Sequence, residues 1–273
     1  MFLHDTNKLS SMLIRSGLLI LVCCVLHAIF IDKKIPDYAA FFSLFFILLA
    51  FLVHYFVIPK DFTIGYLISC FAFLIMWRIS AMHSVTTVSI PSIFIFIAFL
   101  CQIADYIYND LKYPSEGYLV KIWHNKLLWQ MTLLRMYFGF DMVGHFTEKL
   151  FAGRASYYHL INVFIQLGVT FNTDLIVLLA GLCELAIAIG IGLGIITRLA
   201  ALGAALYFLI ATILGHHFLD GFTWVNPGGG WEYPMLMIVF YVSFILAGAG
   251  KFSVDSYMVR KKLIPKILYP YCK

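Results

Sequence analysis

Several side chains able to exchange protons near neutral pH fall at positions that helical spacing brings to one level. Asp141 and His145 are four residues apart and share a helix face. His216 and His217 open the stretch "HHFLDGFTWVNPGGGWEYP", and Glu232 lies near its end. Imidazoles titrate near neutrality, and the carboxylates can take up what they release. His217, Glu232 and His216 are therefore the predicted proton-handling, catalytic residues. Asp141 and His145 are predicted to support them at the same depth. Gly229 and Gly230 let the backbone approach a ligand or fold sharply. Trp231, with Trp224, offers a ring to stack on, and equally fits an aromatic belt at a membrane interface. The same histidines and acids could ligate a metal, but adjacent side chains diverge on a helix, and no metal is assigned. A structural role for at least one histidine stands beside the functional one.

Arg135 and Glu184 also interrupt apolar runs. An ionisable residue inside such a run is costly and marks a candidate site. Glu184 lies about ten residues, or roughly 15 Å, into its run, a depth that matches Arg135. The sequence predicts that the two form an ion pair supporting the outer cluster, because either charge alone would be expensive in lipid.

The elements that must position these residues follow from composition. Of the 273 residues, 62% are hydrophobic and only 12% charged, which excludes an ordinary water-soluble domain. A spanning helix needs roughly 20 mainly apolar residues, and about eight such runs are legible, over 11–31, 39–58, 62–80, 88–108, 127–146, 174–196, 199–218 and 233–250. Runs of this length mean helices rather than barrel strands. The expected fold is thus an all-α membrane protein. The first run carries Arg15 and no small-residue cleavage site, so it is expected to be a retained helix. The six cysteines form no CxxC pair, and no flavin, haem or iron–sulfur motif is present.

Lysine and arginine are concentrated on alternate connections (Lys60, Lys112, Lys121, Lys126, Arg198) and in the tail (Lys251, Arg260, Lys261, Lys262, Lys266, Lys273), which predicts both termini in the cytoplasm. The basic tail is expected to fix topology and meet anionic lipid rather than nucleic acid. The polar stretch "NDLKYPSEGYLVKIWHNK" divides a Phe/Ile/Leu-rich first half from a Gly/Ala-rich second half. Small residues let membrane helices approach closely. The predicted organisation is a four-helix extension over 1–126, a tight bundle over 127–258 and a basic tail over 259–273.

The second half resembles the DoxX family of small membrane proteins. The resemblance rests on "LLRMYFGFDMVGHFTEKLFAG" with Arg135, Gly139, Gly144 and Lys149, and on "LLAGLCELAIAIGIGLGIITRLAAL" with Glu184, Gly190, Gly194, Thr197 and Arg198. It continues through "HHFLDGF", "GGGWEYPML" and "AGAGKFSVD", covering about residues 127–258. It implies a DoxX-like four-helix bundle. It also implies two kinds of role: a component of a quinone-linked redox complex of the inner membrane, as in a subunit associated with thiosulfate:quinone oxidoreductase, or a non-catalytic scaffold or assembly factor gripping a partner protein. With no flavin or haem motif, electrons would pass through a partner or directly between a substrate and a quinone.

Overall fold

A computed structural model describes residues 7–112 and 119–272, and these residues are built from helices and their connections with no strand. The chain divides into two compact units. One runs to Gln130 and takes in Phe151–Gly153, and the other comprises Met131–Leu150 and the chain from Arg154 onward.

The first unit contains α1 (Asn7–Phe30), α2 (Asp37–Phe56), α3 (Phe62–Met82), α4 (Thr86–Lys112) and the opening turns of α5 (Leu119–Leu150). Helix α1 packs on α2 and α4, and α3 packs on α2 and α4. Helix α3 is the most enclosed of the four, with Asp61 capping it by accepting from the Ile64 N–H at 3.0 Å. Hydroxyls bind the helices where no water competes: Tyr66 donates to the Phe99 carbonyl at 3.0 Å and Ser69 to that of Ala50 at 2.9 Å. The Phe151 ring lies against Phe42 and Phe46, at 4.6 and 5.3 Å, and His83 Nε2 meets the Ala152 carbonyl at 2.9 Å.

The second unit holds the rest of α5, then α6 (Arg154–Gln166), α7 (Thr173–Ile187), a π-helical segment (Ala188–Gly194), α8 (Thr197–Leu214), α9 (Glu232–Ala247), α10 (Val254–Arg260) and α11 (Tyr269–Cys272). The π segment continues α7, and both pack on α8, which packs on α9. Helix α5 meets α9 through Phe138 and Phe240, whose rings lie 4.0 Å apart. It meets the π segment where a Cβ on Gly139 would fall on the Gly192 backbone. Only two facing glycines permit that approach.

Among the described residues, six helices are long and apolar enough to cross a membrane: Leu9–Phe30, Asp37–Phe56, Phe62–Met82, Thr86–Lys112, Thr173–Gly194 and Thr197–Leu214. The expected runs at 127–146 and 233–250 are not among them. The first falls within α5, where Arg135 and Asp141 dilute the hydropathy, and the second is α9, only 16 residues long. Helix α6 contains no buried residue and packs on α7, with Tyr157 donating to the Asp174 carbonyl at 2.7 Å. Partial loss of solvent around it, with Asp174 beside it, pushes the Tyr157 phenol up to about 12.

Candidate functional site

Helix α5 carries three polar stations along the second unit. The first is Arg135, which has no exposed surface. Its Nε donates to the Ala249 carbonyl at 2.9 Å, Nη1 to those of Ile191 and Gly192 (the latter at 2.7 Å), and Nη2 to that of Phe252 at 2.6 Å. These acceptors lie at the end of the π segment and just past α9, where helices leave carbonyls without intrahelical donors. A planar fork with several N–H groups suits them. The predicted Arg135–Glu184 pair is therefore absent. Depth matching considered only the opposite charge and not the orphan carbonyls at two helix ends.

Below this station the chain turns sharply. Ile196 takes a left-handed backbone, with φ of 48°. Asp255 accepts from the Ile196 and Thr197 N–H groups at 2.8 and 2.9 Å and from Thr197 Oγ1 at 2.8 Å. A carboxylate from the start of α10 thus caps α8 across the fold.

Glu184 belongs to a second station. Lys149 Nζ lies 3.0 Å from Glu184 Oε2, and both side chains are only 7% exposed. Tyr207 donates to Glu184 Oε1 at 2.6 Å. Lys149 also donates to the His145 carbonyl at 3.1 Å and has Glu148 at 3.6 Å. The buried carboxylate therefore has a cation on one side and a phenol on the other, joining α5, α7 and α8. Lys149 and Tyr207 were missed as its partners. Lys149 lies fourteen residues, almost four helical turns, after Arg135 on the same face, which was the available signal.

The third station is Asp141, which accepts a hydrogen bond from Tyr233 in the first turn of α9. The other members of the predicted outer cluster are not gathered around it. His145 is exposed. His216 Nε2 meets the Leu167 carbonyl at 3.2 Å. His217 Nδ1 meets the Gly229 carbonyl at 2.6 Å, so Nδ1 carries the proton. Glu232 accepts from the Trp224 N–H at 3.1 Å. Among the described residues no three His, Cys, Asp or Glu side chains stand together as a metal-binding group would.

His217 and Glu232 instead brace the loop between α8 and α9. Trp231 N donates to the Gly221 carbonyl at 3.1 Å and Glu232 N to that of Phe222 at 2.9 Å. Asn226 Nδ2 donates to the Asp220 carbonyl at 2.7 Å. Gly228 and Gly229 take φ of 91° and 76°, and a Cβ on Gly230 would strike the carbonyls of residues 221–223. The "PGGG" turn is thus glycine-rich because the loop folds back on itself. Trp231 lies edge-on to Phe222 at 4.7 Å. Leu219 and Val225 remain 83% and 87% exposed, and Phe222 and Trp224 are about half exposed.

Residues 130–217 match the DoxX family model. The DoxX domain therefore starts in α5 and ends at His217, taking in Arg135, Lys149, Glu184 and Tyr207. It stops short of the glycine turn, Glu232 and Asp255, to which the sequence resemblance had extended. No curated protein and no solved structure matches the chain. The DoxX domain and the six apolar helices make this an integral, multi-pass membrane protein in contact with the lipid bilayer.

Proposed function

We propose that this protein is a non-catalytic membrane scaffold whose DoxX-containing half, a four-helix bundle of α5, α7 with its π segment, α8 and α9 over about residues 127–258, holds the α8–α9 loop ready for a partner protein. One observation carries this reading. The loop is braced by internal hydrogen bonds along its length, yet it leaves Leu219 and Val225 exposed and Phe222 and Trp224 about half exposed. A pre-ordered segment with exposed apolar side chains binds at a smaller entropic cost than a flexible one. The candidate proton-handling groups support the same view, because His217 gives Nδ1–H, and Glu232 one carboxylate oxygen, to loop backbone. Helices α1–α4 form an N-terminal extension over 1–126, and residues 259–273 a basic tail. With α5 and α9 crossing as well, supported by their packing on helices of spanning length, eight helices traverse the inner membrane and leave both termini in the cytoplasm.

A quinone-linked redox component is the second reading. It draws on the Trp224 ring, which lies 5.9 Å from His217 and 5.3 Å from Tyr233, itself bonded to Asp141. A quinone ring would stack on Trp224, with Tyr233–Asp141 exchanging the proton. The donor set fits this poorly, since His217 Nδ1–H is already given to Gly229 and Glu232 to Trp224.

A photo-crosslinking residue at position 225, introduced into the full chain in native membranes, tests the proposal. The scaffold reading expects one discrete protein adduct, lost when Leu219 and Phe222 are both changed to serine. Quinone co-purifying with the wild type and lost on Trp224→Ala, with no protein adduct, would instead establish the redox reading.

A further inference from the structure

The chain after α10 is folded back onto the second unit. Residues 266–268 form a 3₁₀ turn, α11 follows, and α11 packs on α8. Cys272 is buried, with 1% of its surface exposed. Burial and the neighbouring Asp255 carboxylate push its thiol up to about 11. Asp255 is the group that caps the first turn of α8. Both ends of the tail are therefore fixed at the level where α8 begins: α10 through Asp255, and α11 through Cys272.

Between these anchors the tail is uncovered. Arg260, Lys261, Lys262 and Lys266 are all exposed. No acidic residue follows Asp255 in the sequence, and Asp255 is itself buried. Leu263, Ile267 and Tyr271 are 63%, 77% and 48% exposed, and recur every four residues among the cations. Exposed apolar residues next to cations, Leu263 beside Lys262 and Ile267 beside Lys266, with the half-exposed Tyr271 beyond them, suit one kind of surface: an interface with hydrocarbon beneath and negative charge above. An acidic protein would match the cations but leaves the regular apolar spacing unexplained.

We propose that residues 260–271 are a pre-folded docking surface for anionic phospholipid headgroups of the leaflet next to the start of α8. Arg260, Lys261, Lys262 and Lys266 meet the phosphates, and Leu263, Ile267 and Tyr271 insert between the headgroups. This inference does not rest on the scaffold reading, because it involves neither the outer loop nor a protein partner.

The test uses the full-length wild-type chain in nanodiscs of phosphatidylcholine alone or mixed with phosphatidylglycerol. Amine-reactive labelling at Lys261, Lys262 and Lys266 is followed by mass spectrometry. A cation at an anionic surface gains a roughly fivefold preference for it, so labelling should slow several-fold in the anionic discs at low salt. High salt should restore the neutral-disc rate, since the attraction is screened within a Debye length. Phosphatidylglycerol retained through purification should fall in the R260Q/K261Q/K262Q/K266Q variant. Equal labelling in both disc types overturns the proposal. So does protection that appears only when membrane proteins are added, which assigns the surface to an acidic partner. Protection by free inorganic phosphate equal to that by anionic discs also overturns it.

Discussion

Replacing Arg135 by methionine is the sharpest perturbation of the bundle. The guanidinium is fully buried and donates to the carbonyls of Ile191, Gly192, Ala249 and Phe252. A hydrogen bond from a charged donor contributes about 1.5–3 kcal/mol, and a buried acceptor left alone costs about 1–3 kcal/mol. Four such losses would exceed the stability of many domains, but removing the charge also relieves its desolvation, which is several kcal/mol. The expected net loss for Arg135→Met is about 3–5 kcal/mol. Arg135→Lys keeps the charge but not the planar fork, so it should lose at least one of the four bonds and fall between the wild type and methionine. Glu184→Gln should be milder than Arg135→Met, because Tyr207 can still donate to the amide oxygen and Lys149 keeps Glu148 at 3.6 Å. Since Arg135 and Glu184 share no partner, their losses should add within about 0.5 kcal/mol. Thermal melts of the single and double variants in one detergent measure this. Recovery of more than about 1 kcal/mol in the double variant would restore the direct pair and refute the assignment of Arg135 to backbone carbonyls.

Other expectations follow from the same contacts. Lys149→Met should cost about 3–5 kcal/mol by leaving the buried Glu184 carboxylate without its cation, and Tyr207→Phe about 1–2 kcal/mol, with strong coupling in a double-mutant cycle. Gly139→Ala should destabilise by at least about 3 kcal/mol through overpacking against Gly192, whereas Gly203→Ala, with open space around its Cβ, should be neutral or stabilising by up to about 1 kcal/mol in the same melts. Burial lowers the His83 imidazole below its usual value of 6.5, the Ala152 carbonyl only partly offsetting this. The folded form therefore disfavours the second proton, and the His83 contribution is present above about pH 6.5 and lost as pH falls through its depressed folded value. Melts from pH 8 to 5 should show this fall, and His83→Gln should flatten it.

The sequence made the helical membrane architecture plain, because long apolar runs admit little else. It also made Arg135 and Glu184 conspicuous, since charge in such a run has few innocent explanations. Their partners were illegible. The carbonyls that hold Arg135 come from a π segment and the end of α9, and backbone acceptors leave no mark in a residue pattern. Lys149 was visible as part of the family pattern, but its reach to Glu184 depends on the rotation of α5 against α7. In the α8–α9 loop the glycines correctly announced a tight fold. The directions of His217 and Glu232 were set by hydrogen bonds inside the loop, which spacing alone does not encode.

The central claim is that His217 serves as a brace for a partner-binding loop and not as a proton carrier. Asparagine can place an amide N–H where His217 Nδ1–H meets the Gly229 carbonyl at 2.6 Å, but it does not titrate. The decisive measurement is the yield of the position-225 crosslink to partner protein in wild type, His217→Asn and His217→Ala. The account predicts that asparagine retains most of the wild-type adduct while alanine loses it. Equal loss in both variants, or full retention of the adduct in the alanine variant, would contradict it.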